Sequence, residues 1–336
     1  MFQNNISLKP YNSFGIHVNA KNFAAFNTPE ILQTLLDEKP ATDGLLILGG
    51  GSNILLTNDV NGLVLKNEIA GIEKVDETQD HVFVKAGAGV NWHQFVLYCI
   101  TNNLGGVENL SLIPGCVGAS PMQNIGAYGV EIKEVFYELE ALHISDKKMV
   151  RFSLPDCAFG YRESVFKRQL KGEFIILNVT YKLTKKHIYN IGYGAVEHEL
   201  EKMGVRELSV KAISDAIIRI RTSKLPDPKL IGNAGSFFKN PEVSNGQFDA
   251  LKNNFPGIVG YPLEEEKTKL AAGWLIEQSG WKGYRKGDAG VHVNQALVLV
   301  NYGAATGNEI YTLSEKIIQS VFEKFGVMLE REVNII

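Results

Sequence analysis

The chain has 336 residues, of which 45% are hydrophobic and 21% are charged, and its formal net charge is −3. This composition is typical of a globular protein and excludes an intrinsically disordered one. It lacks both a global basic field and any apolar run of membrane-spanning length, so we expect neither a nucleic-acid nor a membrane partner. The length predicts two or three domains.

Cysteine and histidine usage argues against a disulfide framework and a metal centre. Cys99, Cys116 and Cys157 are odd in number and form no CxxC pair, which is typical of reduced cytosolic thiols. The seven histidines show no HExxH spacing, so we expect no metal. The first twenty residues lack a charged region followed by an apolar core. We therefore expect no signal peptide and a cytoplasmic location.

The first predicted elements lead into a glycine loop. Thr28 and Pro29 predict the start of a helix that Pro40 ends, and residues 44–48 predict a buried strand. The sequence Gly-Gly-Gly-Ser-Asn then occupies residues 49–53. A glycine turn after a strand can bind phosphate through main-chain N–H groups, but Ile54 replaces the third glycine of the dinucleotide fingerprint. The residues alone leave a tight hairpin and a pyrophosphate loop open.

A second glycine-rich segment follows another predicted helix. Asn91 and Gln94 predict the capped start of that helix, and Cys99 lies on its apolar stripe, which indicates a core residue rather than a nucleophile. Residues 112–129 then carry four glycines and two prolines but few charges. We predict that a ligand satisfies the main chain of this buried segment. Two such loops outside the Rossmann class favour a large cofactor bound mainly by main chain.

Several cationic side chains could take part in a site. Arg162 is compatible with a surface ion pair, the commoner case, or with a carboxylate clamp. Residues 188–194 predict a mobile loop that presents tyrosines, and residues 210–220 predict a helix that Pro226 and Pro228 end. Cationic residues cluster from the end of this helix onward: Arg219, Arg221, Lys224, Lys229 and Lys239. They could form a solvated face or a phosphate-binding surface.

The last third of the chain predicts a compact α/β unit. It contains a helix near residues 270–278, a strand over 296–300, a helix capped by Asn308 and a terminal strand over 327–336. The period of two places Glu330 and Glu332 on one face of that strand, which is either a solvated edge or the lining of a cleft.

The segment 232–241 is the centre of the interpretation. Gly235 allows a close backbone approach beside Ser236, and Lys239 and Asn240 add a cation and an amide. These ten residues alone are equally compatible with two interpretations. One is a turn whose phenylalanines fill a core, and the other is a binding site for an anionic substrate.

Motifs spread over the whole chain resemble the UDP-N-acetylenolpyruvoylglucosamine reductase family. The resemblance begins at residues 8–15 and ends at residues 329–333. The motifs that carry it are residues 48–53 (LGGGSN), 113–118 (IPGCVG), 121–129 (PMQNIGAYG), 159–162 (FGYR), 221–229 (RTSKLPDPK) and 235–241 (GSFFKNP). Several long matches in one order are more specific than any single glycine motif. The segment with Tyr193 resembles the longer, tyrosine-bearing form of the family.

The resemblance implies an α+β protein. We expect an FAD-binding fold of the vanillyl-alcohol-oxidase (PCMH) type in two subdomains, residues 1–67 and 68–207, followed by an α/β substrate-binding domain, residues 208–336. It also implies noncovalent FAD, NADPH as co-substrate and a monomer. The implied reaction reduces UDP-N-acetylglucosamine enolpyruvate to UDP-N-acetylmuramate for peptidoglycan synthesis.

The resemblance also assigns roles to individual residues. Ser236 is the implied proton donor, and Arg162 and Glu332, if Glu332 is protonated, stabilise the enolate. Tyr193, Lys224 and Asn240 are implied ligands of the nucleotide diphosphate. The implied FAD-binding residues are Gly49, Gly50, Gly51, Ser52, Asn53, Pro114, Gly115, Gly118, Ser120, Asn124 and Gly126. Two positions depart from the family pattern. Ser13 replaces threonine, and Ala119 replaces a serine that could donate a hydrogen bond to the flavin pyrophosphate.

The chemistry is consistent with these roles. Hydride addition to the terminal carbon of an enolpyruvyl group leaves negative charge on C2, which needs fixed donors and then a proton. The rival interpretations are an oxidase of the same fold and a nucleotide-sugar binding protein without catalysis. A serine hydrolase is disfavoured because residues 234–238 do not match the G-x-S-x-G elbow.

Overall fold

The computed structural model describes residues 2–40 and 44–336. In that part of the chain the helices are α1 (Pro29–Glu38), α2 (Trp92–Thr101), α3 (Gly194–Lys202), α4 (Val210–Lys224), α5 (Asn245–Asn254), α6 (Ala272–Gln278) and α7 (Gly307–Phe325). The strands are β1 (Gln3–Ser7), β2 (Asn19–Phe26), β3 (Gly44–Leu48), β4 (Ile54–Leu55), β5 (Val60–Asn67), β6 (Ile72–Glu77), β7 (His81–Gly87), β8 (Gly126–Ala127), β9 (Val130–Glu131), β10 (Phe136–His143), β11 (Met149–Ser153), β12 (Phe174–Thr184), β13 (Gly232–Asn233), β14 (Glu242–Ser244), β15 (Gly260–Pro262), β16 (Lys267–Leu270), β17 (Arg285–Lys286), β18 (Ala289–Val291), β19 (Leu299–Asn301) and β20 (Asn334–Ile335).

Contacts within the chain define two compact units, and each unit is discontinuous in sequence. The first unit comprises Met1–Ile6, Ala20–Gly50 and Asn61–Ser223, and the second comprises Ser7–Asn19, Gly51–Val60 and Lys224–Ile336. We predicted three domains, residues 1–67, 68–207 and 208–336. The division into two units does not test these boundaries, which stay a prediction.

The first unit contains two larger sheets. One has the strand order β1-β2-β5-β3, with β3 and β5 parallel, and the other has the order β11-β10-β12-β7-β6 with antiparallel pairs. Helix α1 buries Leu32, Leu35 and Leu36 in a core shared with residues of both sheets. Helices α3 and α4 form a separate apolar cluster through Val196, Leu200 and the isoleucines of α4.

Local sequence signals explain the first two helices. The Thr28 hydroxyl accepts a hydrogen bond from the Ile31 N–H at the start of α1, and the Asn91 side chain accepts one from the Gln94 N–H at the start of α2. Helix α2 turns Trp92 and Phe95 onto Tyr181 of β12. Cys99 is fully buried on the same face, and this burial raises the pKa of its thiol. The prediction that Cys99 is a core residue is confirmed.

The second unit contains small sheets and three helices. Its sheets have the orders β13-β19-β18-β17 and β14-β16-β15, and β4 pairs in parallel with β20. Helix α7 buries Ile310, Leu313, Ile317 and Val321, as its predicted stripe requires.

Several predicted elements are wrong. The strands β3 and β4 do not form a hairpin across the glycine loop, because β3 pairs with β5 and β4 pairs with β20. The N-cap of α7 is Thr306, which forms a capping box with Glu309, and not Asn308. The strand expected over residues 296–300 begins only at Leu299, where main-chain pairing with β18 begins.

The terminal strand is also wrong over most of its length. Only Asn334 and Ile335 pair as a strand, and upstream a single bridge joins Arg331 to Phe238. The predicted alternation nevertheless persists in the burial of the side chains, with Val327, Leu329 and Val333 buried. The pattern therefore reports which side faces the core, whereas strand formation requires a partner main chain.

Candidate active site

The glycine loop after β3 leaves main-chain donors available for a ligand. A Cβ atom on Gly50 would lie 2.8 Å from the Gly115 Cα atom, so two glycine-rich segments approach each other here as only glycine allows. Among the described residues, the N–H groups of Gly50, Gly51 and Ser52 have no protein acceptor. Successive free N–H groups in a glycine loop form an anion-binding concavity, so this loop fits a pyrophosphate. Lys66 Nζ fixes the loop by donating to the Gly49 carbonyl oxygen at 2.6 Å.

The second glycine-rich segment, residues 112–129, is held mostly by the protein itself. The Gly118 N–H donates to the Ala88 carbonyl oxygen at 3.0 Å, and a Cβ atom on Gly118 would lie 2.6 Å from the Ala88 Cβ atom. The Ser120 hydroxyl is hydrogen-bonded to the Tyr181 hydroxyl at 2.7 Å. The main-chain N–H of Trp92 donates to the carbonyl oxygen of Gly115, next to the exposed Pro114.

Asn124 shapes the end of this segment. Its φ of 44° is in the left-handed region, and its buried side-chain amide donates to Glu131 Oε2 at 2.9 Å and to the Gly160 carbonyl oxygen at 3.0 Å. The Gly118 N–H and the side chains of Ser120 and Asn124 are thus hydrogen-bonded within the protein. That a ligand satisfies main-chain groups of residues 112–129 stays a prediction. Direct contact of Gly118, Ser120 and Asn124 with FAD also stays a prediction.

Arg162 is held in a strained backbone conformation. Its φ is 56°, which is uncommon for a residue other than glycine and is found preferentially at functional sites. The guanidinium donates to the Gly126 carbonyl oxygen at 2.6 Å and lies 5.2 Å from the centroid of the Tyr161 ring. The predicted FAD ligand Gly126 and the predicted catalytic arginine are therefore direct neighbours in the first unit.

In the second unit, main-chain pairing sets Glu332 beside the Ser236 segment. The Glu332 N–H donates to the Phe237 carbonyl oxygen at 2.9 Å, and the Lys239 N–H donates to the Glu330 carbonyl oxygen at 2.9 Å. Ser236 itself is exposed, and it follows Gly235, whose φ is 71°. The exposed hydroxyl is consistent with a group that must reach a substrate.

Asn53 belongs to the same local structure. Its side-chain amide donates to the Glu332 carbonyl oxygen at 3.2 Å, and its own carbonyl oxygen accepts from the Asn334 N–H at 3.1 Å. The predicted FAD ligand Asn53 therefore orders the segment that carries Glu332. A contact between Asn53 and FAD stays a prediction.

The side chains of Lys239 and Arg331 make contacts, not predicted by the sequence analysis, that hold residues 330–332. Lys239 is buried and its ammonium pairs with Glu330 at 2.6 Å. Arg331 donates from Nε to the Ser314 hydroxyl at 2.8 Å, pairs with Glu315 and lies 4.7 Å from the centroid of the Tyr311 ring. The alternation Glu330-Arg331-Glu332 was visible in the sequence, but nothing there indicated which charges meet.

The predicted diphosphate ligands occupy different environments. Tyr193 is half-exposed, and its ring contacts the Tyr128 ring edge-on at 5.5 Å. Lys224 is exposed and is the last residue of α4. The Asn240 side-chain oxygen accepts from the Ala272 N–H at 3.0 Å, which fixes the start of α6.

The cluster of cationic residues is not one solvated face. Arg219, Lys224 and Lys229 are exposed, but Lys239 is buried and Arg221 donates to the Leu112 carbonyl oxygen at 3.2 Å. Burial lowers the pKa of Arg221, and a hydrogen bond to Tyr128 opposes that shift. The solvated-face alternative is therefore wrong for Lys239 and Arg221.

Ser236 and Glu332 belong to the second unit and Arg162 belongs to the first. The meeting of these three residues in one site stays a prediction. In residues 2–40 and 44–336, no group of three His, Cys, Asp or Glu side chains is arranged to hold a metal ion. None of the helices described is long and apolar enough to cross a membrane.

Comparison with known proteins gives consistent matches over the whole chain. Residues 24–153 match the FAD binding domain, and residues 227–336 match the C-terminal domain of UDP-N-acetylenolpyruvoylglucosamine reductase. The chain is 51% identical to UDP-N-acetylenolpyruvoylglucosamine reductase of Flavobacterium johnsoniae and 52% identical to that of Amoebophilus asiaticus, over 99% of each chain.

A solved structure supports the fold. UDP-N-acetylenolpyruvylglucosamine reductase from Thermus caldophilus superposes with a TM-score of 0.69 at 23% identity, over 100% of this chain and 99% of that one. The predicted fold class, an FAD-binding fold of the vanillyl-alcohol-oxidase type followed by a C-terminal domain, is confirmed. With relatives of this identity over nearly its full length, the chain belongs to the UDP-N-acetylenolpyruvoylglucosamine reductase family.

Proposed function

We propose that this FAD-dependent oxidoreductase reduces UDP-N-acetylglucosamine enolpyruvate to UDP-N-acetylmuramate, a step of peptidoglycan precursor synthesis. The observation that carries the proposal is the hydrogen bond from the Glu332 N–H to the Phe237 carbonyl oxygen, which brings the main chain of Glu332 next to the residue after Ser236. The names of the relatives agree with this reaction.

The residues present fit FAD. The free N–H groups of Gly50, Gly51 and Ser52 would hold its pyrophosphate, and the approach of Gly50 to Gly115 leaves main chain rather than side chains at the cofactor. When bound, FAD supplies the hydride that adds to the terminal carbon of the enolpyruvyl group.

The chain's own side chains then handle the charge at C2. Arg162 supplies a fixed positive charge and Glu332, when protonated, supplies a hydrogen-bond donor, and both stabilise the enolate. Ser236 donates the proton that C2 requires. A serine hydroxyl is a weak acid, but a carbanionic carbon is a strong enough base to remove its proton while the resulting alkoxide is held electrostatically.

The diphosphate of the substrate is bound by Tyr193, Lys224 and Asn240. The exposed ammonium of Lys224 and the half-exposed hydroxyl of Tyr193 are accessible to such a ligand. NADPH as electron donor, the monomeric state and the cytoplasmic location complete the proposal.

The visible spectrum tests this function. We would add NADPH and then UDP-N-acetylglucosamine enolpyruvate to the purified protein without oxygen. We expect a yellow protein that bleaches with NADPH and regains its colour with the substrate. Recovery of colour only with oxygen would favour an oxidase. A colourless protein that binds a UDP-sugar and is not restored by added FAD would favour a binding protein instead.

A further inference from the structure

Two asparagines join the Tyr193 loop to the end of the second glycine-rich segment. We define the tyrosine loop as residues 186–193. Asn109 is buried, with 1% of its surface exposed, and its side-chain amide donates to two carbonyl oxygens. These are the carbonyl oxygen of Tyr128 at 3.0 Å and that of Asn190 in the tyrosine loop at 2.8 Å.

Asn190 returns a third hydrogen bond. Its side-chain amide donates to the Gly129 carbonyl oxygen at 3.0 Å. A Cβ atom on Gly129 would lie 3.3 Å from that amide, so the approach is close and depends on glycine. We call this set, Asn109 and Asn190 with the carbonyl groups of Tyr128 and Gly129, the asparagine latch.

Outside the latch, Lys186 at the start of the tyrosine loop pairs with Asp80, and the rings of His187 and Tyr189 stack on each other. Tyr189 and Ile191 are only partly buried against the core of α3 and α4. Both also line a cavity of about 640 Å³, together with Asn190 and Gly192. Because apolar packing is thin here, directional hydrogen bonds set the position of the loop.

The latch lies close to Tyr193 in both sequence and space. Asn190 precedes Tyr193 by three residues. Tyr128, whose carbonyl oxygen accepts a hydrogen bond from Asn109, also contacts the Tyr193 ring with its own ring. Tyr128 has a φ of 50°, in the left-handed region. Tyr193 therefore packs against a residue whose carbonyl oxygen accepts a hydrogen bond from the Asn109 side chain.

We propose that Asn109 and Asn190 are positioning residues that hold Tyr193 in place for the diphosphate of the substrate. This inference rests on the proposed function, in which Tyr193 binds that diphosphate. Holding the loop before the substrate arrives reduces the conformational entropy that binding would otherwise cost. The latch acts on substrate affinity and not on hydride or proton transfer.

Asn190→Ala is the first test because Asn190 is exposed and its removal leaves the core intact. Loss of its hydrogen bond should raise both the substrate KM and the Kd about 10-fold. The Kd is measured from the flavin absorbance change on substrate addition. Both kcat and the rate of flavin reduction by NADPH should stay within about twofold. Asn109→Ala should have the same effect, with a lower Tm because the side chain is buried.

Asn102→Ala is the matched control. The Asn102 amide also donates to a main-chain carbonyl oxygen, that of Tyr98 at 2.8 Å, at the exposed end of α2. Its removal should leave the substrate Kd unchanged.

A double-mutant cycle separates positioning from a general structural effect. If the latch acts through Tyr193, Asn190→Ala should weaken binding by less than about twofold in a Tyr193→Ala background. An unchanged or lower Kd of Asn190→Ala, or an equal loss in both backgrounds, would overturn the proposal.

Limited trypsin digestion keeps this inference distinguishable from the proposed function. If wild-type protein does not turn over UDP-N-acetylglucosamine enolpyruvate, the proposed function fails. The latch still predicts faster cleavage after Lys186 in Asn190→Ala than in wild type or Asn102→Ala. Equal cleavage rates would overturn the latch itself.

Discussion

The main-chain N–H of Glu332 donates to the carbonyl oxygen of Phe237 at 2.9 Å. Phe237 is the residue that directly follows Ser236. One hydrogen bond therefore joins two segments that are far apart in sequence and that carry the proposed proton donor and one of the enolate-stabilising groups. The ion pair between the buried Lys239 and the exposed Glu330 joins the same two segments, and Arg331 donates to Ser314 of α7.

Ser236→Ala should separate the two halves of the catalytic cycle. NADPH should still reduce the flavin, whereas reoxidation by the substrate should slow by at least about 10²-fold, the usual scale for a lost general acid. Anaerobic stopped-flow absorbance measures both rates. Ser279→Ala, which removes a hydroxyl at the end of α6, is the control. Near-normal reoxidation in Ser236→Ala would remove Ser236 from the mechanism.

Glu332→Gln and Glu330→Gln should have opposite consequences. Glu332→Gln should slow flavin reoxidation by about 10²-fold with little change in Tm. Glu330→Gln removes an exposed carboxylate that pairs with the buried Lys239 ammonium and should cost up to about 1 kcal/mol of stability. Paired stopped-flow and thermal unfolding experiments check both variants. A stability loss in Glu332→Gln with unchanged reoxidation would assign it a structural role only.

Gly50→Ala should weaken FAD binding far more than Gly49→Ala. The new Cβ atom would lie 2.8 Å from the Gly115 Cα atom at residue 50, but 3.8 Å from the Cys116 Cβ atom at residue 49, which is an ordinary contact. Separating the two glycine segments should raise the FAD Kd at least about 10-fold, equivalent to about 1.4 kcal/mol. Quenching of flavin fluorescence measures this Kd. Equal affinities of the two variants would contradict a role of the close approach.

Arg331→Met should change how stability depends on pH. The hydrogen bond from Arg331 lowers the pKa of Glu315 from its ordinary value of 4.5. Because the folded value is the lower one, the stabilisation is present above pH 4.5 and is lost as the pH falls through the folded value. Removing this partly exposed pair and the stacking on Tyr311 should cost about 1 kcal/mol at neutral pH. Thermal unfolding from pH 7 to pH 3 should therefore show that the difference in stability between wild type and Arg331→Met decreases as the pH falls. A difference that does not change with pH would contradict a stabilising ion pair.

Lys224→Ala should mainly raise the substrate KM. The exposed ammonium is proposed to bind the diphosphate in ground state and transition state alike, so kcat should change little. Steady-state kinetics check this, with Lys229→Ala, another exposed lysine, as the control. A lower kcat at unchanged KM would exclude a simple binding role for Lys224.

The sequence predicted features that depend on neighbouring residues. The caps at Thr28 and Asn91, the apolar stripe of α2 and the burial of Cys99 follow from spacing over a few positions. The glycine loops were recognisable because glycine is required where backbones approach closely.

Features that depend on distant partners were not predictable in this way. The segment 327–333 has a strand-like alternation but lacks a continuous partner. The cap of α7 at Thr306 is a different case, because Thr306 and Glu309 have the local spacing of a capping box and this signal was missed. Asn109 gave no signal, since its position beside Glu108, between Val107 and Leu110, does not indicate which carbonyl groups its side chain will bind.

The second compact unit is assembled from three stretches, and the first unit contains all the residues between Asn61 and Ser223. During synthesis the ribosome therefore delivers Phe14 and Asn53 long before their partners Phe237 and Glu332 exist. The first unit can complete its own sheets in that interval, because nascent chains fold in the order in which segments emerge. In the proposed mechanism Glu332 is made only after all residues of the first unit, so we expect a chain truncated before Glu332 to be unable to carry out the reaction even when its first unit is folded.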